Sequence, residues 1–78
     1  MAHWFTHRED GFSVERAVVA DYDLSVMRVD DAAYWLVARD GRDVAEGDAA
    51  TSERARWCAE VEAETAARVR RSPLLGLF

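Results

Sequence analysis

Three groupings of residues in this chain have types and spacings that could do chemistry. The first is the set of acidic pairs Asp21/Asp23, Asp30/Asp31 and Asp40/Asp43. Paired carboxylates can chelate calcium or divide general acid and base roles. A calcium loop, however, spaces several oxygen ligands around a Gly within about 12 residues and closes on a Glu, and that pattern is missing. Turn chemistry accounts for most of these pairs, because Asp caps its own backbone and tolerates turn geometry. Their remaining use is as an acidic surface for a protein partner, which makes Asp21, Asp23, Asp30, Asp31, Asp40 and Asp43 the candidate binding residues.

The second grouping is His3 and His7, four apart. On a helix that is a metal-ligand spacing. On a strand it separates them by roughly 13 Å at about 3.3 Å per residue, and no third ligand lies nearby in sequence, so both read as surface or edge histidines. The third is Cys58, the single cysteine. It falls on the expected inner face of a helix and reads as a small buried apolar residue, since a nucleophile needs a base nearby and partial exposure.

Other chemistry is excluded by residue type. All ten basic residues are Arg and none is Lys, so neither Schiff-base nor P-loop lysine chemistry is available. Gly11, Gly41, Gly47 and Gly76 are read as turn or element-end residues and form no phosphate cradle. No nucleophile, base and orienting group can be assembled. The expectation is a protein that is not an enzyme, with no cofactor and no metal.

The charge narrows the partner. The net charge is −5, and it is uneven. Residues 1–50 hold eleven acids against five Arg, while residues 51–78 hold four acids against five Arg. Phosphate binding is driven by cationic side chains that release counterions, so direct nucleic-acid binding is not expected of the acidic half. Arg54, Arg56, Arg68, Arg70 and Arg71 are split between two ends of one segment with four Glu among them, which is not a continuous basic stripe. A protein partner with an Arg/Lys-rich surface fits better.

Seventy-eight residues make one domain that buries only about 60% of the surface its unfolded chain exposes. No apolar run approaches the roughly 20 residues of a membrane span. The first residues carry no basic stretch followed by an apolar one, so no signal peptide is expected. With one cysteine there is no internal disulfide, and the expected location is the cytoplasm. The chain is expected to be a monomer or weak homodimer.

These residues are positioned by a succession of short strands and one helix. His3 to Arg8 reads as a strand, Glu9-Asp10-Gly11 as a turn, and Phe12 to Ala20 as a strand in which Phe12, Val14, Val18 and Ala20 share a face. A short helix from Ser13 is the alternative there, and Val18-Val19 favours strand. Asp21-Tyr22-Asp23 reads as a turn, Leu24 to Val29 as a strand, Asp30-Asp31 as a turn, and Ala33 to Arg39 as a strand. Asp40-Gly41 is the strongest hairpin signal. Arg42 to Glu46 follows as a short strand that Gly47 ends.

Thr51 or Ser52 caps a helix that runs to about Arg71, with Glu53 in its first turn and Arg68, Arg70 and Arg71 in its last. Ser72-Pro73 stops it. Its inner face is expected to hold Ala55, Cys58, Ala59, Thr65, Ala66 and Val69, with Trp57 and Val61 at the edge and Glu62 anomalously near the middle. Trp4, Trp35 and Trp57 are expected in or beside the core, one of them available as an interface anchor. The apolar tail Leu74 to Phe78 is expected to fold back over the core. The architecture expected is α+β: an antiparallel sheet of about four to five short strands (1–50) packed against one C-terminal helix (51–72), followed by the tail (73–78), in one domain.

Two resemblances follow. Residues 34–69 resemble a recurring bacterial and phage pattern: an aromatic-aliphatic strand (Tyr34 to Val37), an Asp-Gly hairpin (Asp40, Gly41), a short strand with Gly47, then Ala49, a Thr/Ser cap and an Ala-rich helix. It brings no catalytic residues. In size, acidity and composition suited to a GC-rich genome, the chain also resembles small phage-encoded anti-CRISPR proteins that act against type I systems. No motif maps residue by residue. That resemblance implies an inhibitor that places an acidic face in the Arg/Lys-lined channel of a CRISPR surveillance complex and keeps target DNA out. The alternative is a non-catalytic structural or oligomerising adaptor module.

Overall fold

The structure is a computed structural model and describes residues 2–9 and 12–71. In chain order it comprises β1 (Phe5–Glu9), β2 (Phe12–Val19), β3 (Tyr22–Val29), β4 (Ala32–Arg39), β5 (Arg42–Ala49) and α1 (Ser52–Arg71). The strands form one five-stranded sheet in the order β1-β2-β3-β4-β5, every neighbour antiparallel, and α1 packs on one side. This is the expected α+β architecture. Residues 13–19 are strand, so the helical alternative from Ser13 does not form.

Register makes the meander regular. Val19 pairs with Tyr22, Val29 with Ala32 and Arg39 with Arg42, so each of these turns has two residues. Such turns need left-handed backbone to match the twist of the flanking strands. Ala20, Asp30 and Asp40 have φ of 56°, 55° and 54°, and Gly41 has 76°. Asp40-Gly41, positive at both positions, meets the type I′ requirement. Strands β2 to β5 are eight residues each. With two-residue turns, the backbone repeats every ten residues although the sequence does not.

Several expected boundaries move. The turn expected at Asp21-Tyr22-Asp23 is confined to Ala20-Asp21, and Tyr22 and Asp23 open β3. The buried Tyr22 ring gains from strand pairing that a turn would deny it. Gly47 does not end β5, which continues to Ala49. Gly47 pairs with Trp35, and a Cβ built there would stand 2.7 Å from Cζ2 of the indole. It is a place of close approach within a strand, which is the other reason for a strand glycine. A bulge between Val37 and Ala38 opposite Ala45 and Asp43 takes up the extra residue, Val44. The turn at Asp10-Gly11 and the tail Leu74 to Phe78 lie outside the described residues.

The core lies between α1 and the face of the sheet carrying Ala17, Tyr22, Leu24, Val26, Ala33 and Val37. The helix meets it with Ala55, Ala59, Ala63 and Ala67, none more than 2% exposed. A four-residue repeat of methyl groups makes one straight ridge and lets the helix axis come close to the sheet. Of the expected inner face Ala55 and Ala59 are in place, while Ala63 and Ala67 stand where Thr65, Ala66 and Val69 were expected. Cys58 and Ala66 are half-buried, while Thr65, Val69, Trp57 and Glu62 are exposed, which removes the anomaly of a carboxylate at the centre of the stripe. Phe5 and Phe12 are exposed.

Polar contacts set the ends of the sandwich. Thr51 caps α1, its Oγ1 accepting from the Arg54 amide at 3.1 Å. Trp4 packs against the core and donates from Nε1 to Glu60 at 2.9 Å. Arg56 donates to Glu15 on β2 at 2.6 Å.

Candidate functional site

The six acids singled out in the sequence do not form one surface. Adjacent strands run in opposite directions, so the turns alternate between two ends of the sheet. Asp30 and Asp31 occupy the β3–β4 turn at the end where α1 begins. Asp21 and Asp40 occupy the β2–β3 and β4–β5 turns at the other end, with Asp23 and Asp43 in the adjoining strand residues. An eight-residue strand separates the two groups by about 26 Å.

Asp21 is engaged within the molecule. Its carboxylate accepts from Arg70 Nη2 at 2.8 Å, Arg70 Nη1 at 3.0 Å and Arg39 Nε at 2.7 Å. Both guanidiniums also lie near the Tyr22 ring, 5.4 Å (Arg70) and 6.0 Å (Arg39) from its centroid. The bidentate bond from Arg70, then the bond from Arg39, hold the Asp21 carboxyl far below the usual carboxylate range. The same bond raises Arg70. Arg39 also lies 3.5 Å from Asp40. This cluster fastens the last turn of α1 to the sheet, and it accounts for Asp21 structurally.

The side of the sheet away from α1 has a different character. Register assigns to it Phe5 and His7 of β1, Phe12, Val14, Arg16 and Val18 of β2, Asp23, Ser25 and Met27 of β3, Tyr34, Leu36 and Ala38 of β4, and Asp43, Glu46 and Asp48 of β5. Five of the large hydrophobic residues most open to solvent, Phe5, Phe12, Val18, Met27 and Tyr34, stand on this one face. Two connected grooves run along it. One of about 660 Å³ lies over Val14, Met27, Tyr34 and Leu36, with Glu46 and Asp48 at its side. The other, of about 530 Å³, lies over Phe5, Val18 and Ala38, and shares Arg16, Ser25 and Leu36 with the first.

Each row across the sheet ends on an acid at β5. His7–Val14–Met27–Tyr34 ends at Asp48, and Phe5–Arg16–Ser25–Leu36 ends at Glu46. Asp43, Glu46 and Asp48, all exposed, thus line the β5 margin of an apolar floor. Contiguous apolar surface on a small protein marks a place of interaction. Of the expected site residues, Asp23 and Asp43 belong to this face. Glu46, Asp48, Met27 and Tyr34 were missed. For Tyr34, Glu46 and Asp48 the signal was the even-numbered alternation of β4 and β5, and ending β5 at Glu46 hid Asp48; for Met27 it was the odd-numbered alternation of β3.

The other candidates resolve as follows. His3 and His7 are both exposed, and the His3 ring sits edge-on to Phe5 at 4.8 Å. Among the described residues no cluster of three or more His, Cys, Asp or Glu could hold a metal ion. Cys58 is a half-buried free thiol. Three of the five helix Arg bond within the molecule: Arg56 to Glu15, Arg70 to Asp21 and Arg71 to the Ala67 carbonyl. A fourth, Arg54, lies 4.7 Å over the exposed Trp57 ring. No described helix is long and apolar enough to cross a membrane.

No protein-family model matches the chain, and no curated protein or solved structure matches it either.

Proposed function

We propose that this protein is a small, non-catalytic, acidic binding protein that inhibits or tethers a partner protein by covering a cationic surface on it. The observation that supports this reading is the open sheet face, where an apolar floor is bordered by the carboxylates of Asp43, Glu46 and Asp48. Apolar area supplies the driving force for association, while the carboxylates select a cationic partner and speed encounter. The resemblance to anti-CRISPR proteins names the first partner to test, the Arg/Lys-lined DNA channel of a type I CRISPR surveillance complex.

The experiment is co-elution with such a purified complex, with target-DNA binding measured alongside. Co-elution at low salt with loss of DNA binding is expected, weakening as salt is raised. No association at low salt removes the CRISPR form. Affinity capture from the source cell, with mass spectrometry, then asks whether another protein is the partner.

A structural or oligomerising adaptor is the second reading, favoured by β5, which is an outer strand of the sheet and among the described residues pairs only with β4. Such an edge is a template for another strand. Sedimentation decides: a monomer at all concentrations argues against it.

A further inference from the structure

The geometry points to the open sheet face as the docking surface for an amphipathic helix of a partner protein, its apolar stripe on Val14, Met27, Tyr34 and Leu36 and a Lys/Arg flank along β5. This rests on the protein-binding reading above and names the surface and the kind of partner.

Charge decides what covers the face. The carboxylates of Asp23, Asp43, Glu46 and Asp48 stand on it with the guanidinium of Arg16. Three of the four follow β5. A ligand that buries the apolar floor must therefore carry positive charge along one flank, or bring the acids against apolar or acidic groups at a desolvation cost. A second copy offers the wrong sign, because each chain carries −5 and stacking two open faces would bring their carboxylates within a Debye length.

Backbone hydrogen bonding decides the shape. The floor is the middle of a sheet whose N–H and C=O groups already pair between strands. An extended segment laid on it would find no backbone partners, and an unpaired buried peptide group is costly. A helix satisfies its own backbone. The two grooves join along the strand direction through Arg16, Ser25 and Leu36. A floor of about 26 Å accepts about 17 helical residues at 1.5 Å rise. Such a helix would complete a three-layer arrangement with α1 on the opposite side.

The test uses the full chain and a synthetic peptide of about 18 residues with Leu at i, i+3, i+4 and i+7 and Lys on one flank. A permuted peptide of the same composition serves as control. Amide and methyl shifts in NMR titration are expected at Val14, Met27, Tyr34 and Leu36 and not on the outer side of α1. The permuted peptide should bind at least about tenfold more weakly. Met27→Glu and Tyr34→Glu change residues 36% and 47% exposed, so they should leave the fold intact by circular dichroism while weakening the peptide about tenfold or more.

Glu46→Lys with Asp48→Lys should weaken it and flatten its salt dependence. Equal binding of the permuted peptide, shifts confined to α1, new amide protection at the β5 edge, or a concentration-dependent dimer closed over the same face each overturn the inference. If a partner is captured from cells and Met27→Glu and Tyr34→Glu do not affect it, the docking surface falls while the binding function stands. If the peptide docks as described and no protein partner is captured, the surface stands and the function falls.

Discussion

The indole of Trp35 occupies the space that a side chain at Gly47 would need. The two residues pair across β4 and β5, and a Cβ at position 47 would lie 2.7 to 2.9 Å from Cζ2, Cε2 and Nε1 of the ring. Trp35 is half-buried and packs against both parts of the core, so its ring cannot simply swing away. Gly47→Ala should therefore destabilise the fold by about 1–3 kcal/mol, the usual cost of overpacking. Thermal unfolding measures the loss, and Trp35→Leu in the same chain should recover part of it. Equal stability of Gly47→Ala and the parent would contradict the close approach.

Ala20 is the opposite case. It holds φ of 56°, where a Cβ crowds the following carbonyl at roughly 1–2 kcal/mol. Glycine removes that strain and adds some chain entropy in the unfolded state. Ala20→Gly should stabilise the protein by about 0.5–1 kcal/mol, seen as a higher denaturant midpoint with unchanged slope.

Asp21 links stability to pH. Arg70, then Arg39, depress its folded-state pKa. A depressed carboxylate contributes stability that is complete above its unfolded value of about 3.9 and is lost as pH falls from there toward the folded value. Because the pair is exposed, salt screens it. Asp21→Asn should thus be less stable than the parent at neutral pH and low salt, with the difference shrinking below about pH 4 and at high salt. Urea unfolding at several pH values checks this. A difference that grows with acid would be the wrong sign.

The acids should separate in binding as they separate in space. Once a partner is in hand, Asp30→Asn with Asp31→Asn alters the far turn, and Glu46→Gln with Asp48→Gln alters the margin of the open face. Calorimetry should show the second pair weakening association by about tenfold, with the first pair close to neutral. The reverse result would place the interface at the β3–β4 turn.

The α+β architecture, the number of strands and the helix at Ser52–Arg71 were readable in the sequence, because alternation, Asp-Gly turns and a Thr cap are local signals. The inner helix face was readable only at Ala55 and Ala59. Ala55, Ala59, Ala63 and Ala67 repeat every four residues, and Ala carries too little hydrophobicity to outweigh Cys58, Val69 or Trp57 on a helical wheel. Backbone proximity to the sheet selects the small residues, and that distance is a tertiary quantity.

For the candidate site the division is similar. By itself the sequence determined that the first fifty residues are acidic and that Lys chemistry is absent. It also pointed to the turns at Asp30-Asp31 and Asp40-Gly41, though not to Ala20 as a turn residue. Only the tertiary structure decided which acids act together. Pairing register sends Asp43, Glu46 and Asp48 to the face opposite α1 and separates Asp30 and Asp31 from Asp21 and Asp40 by the length of a strand. Asp21 is taken up by Arg70, a residue 49 positions away. Both outcomes depend on which strands lie side by side and where the helix docks. Those are long-range contacts, and residue type and spacing along the chain do not encode them.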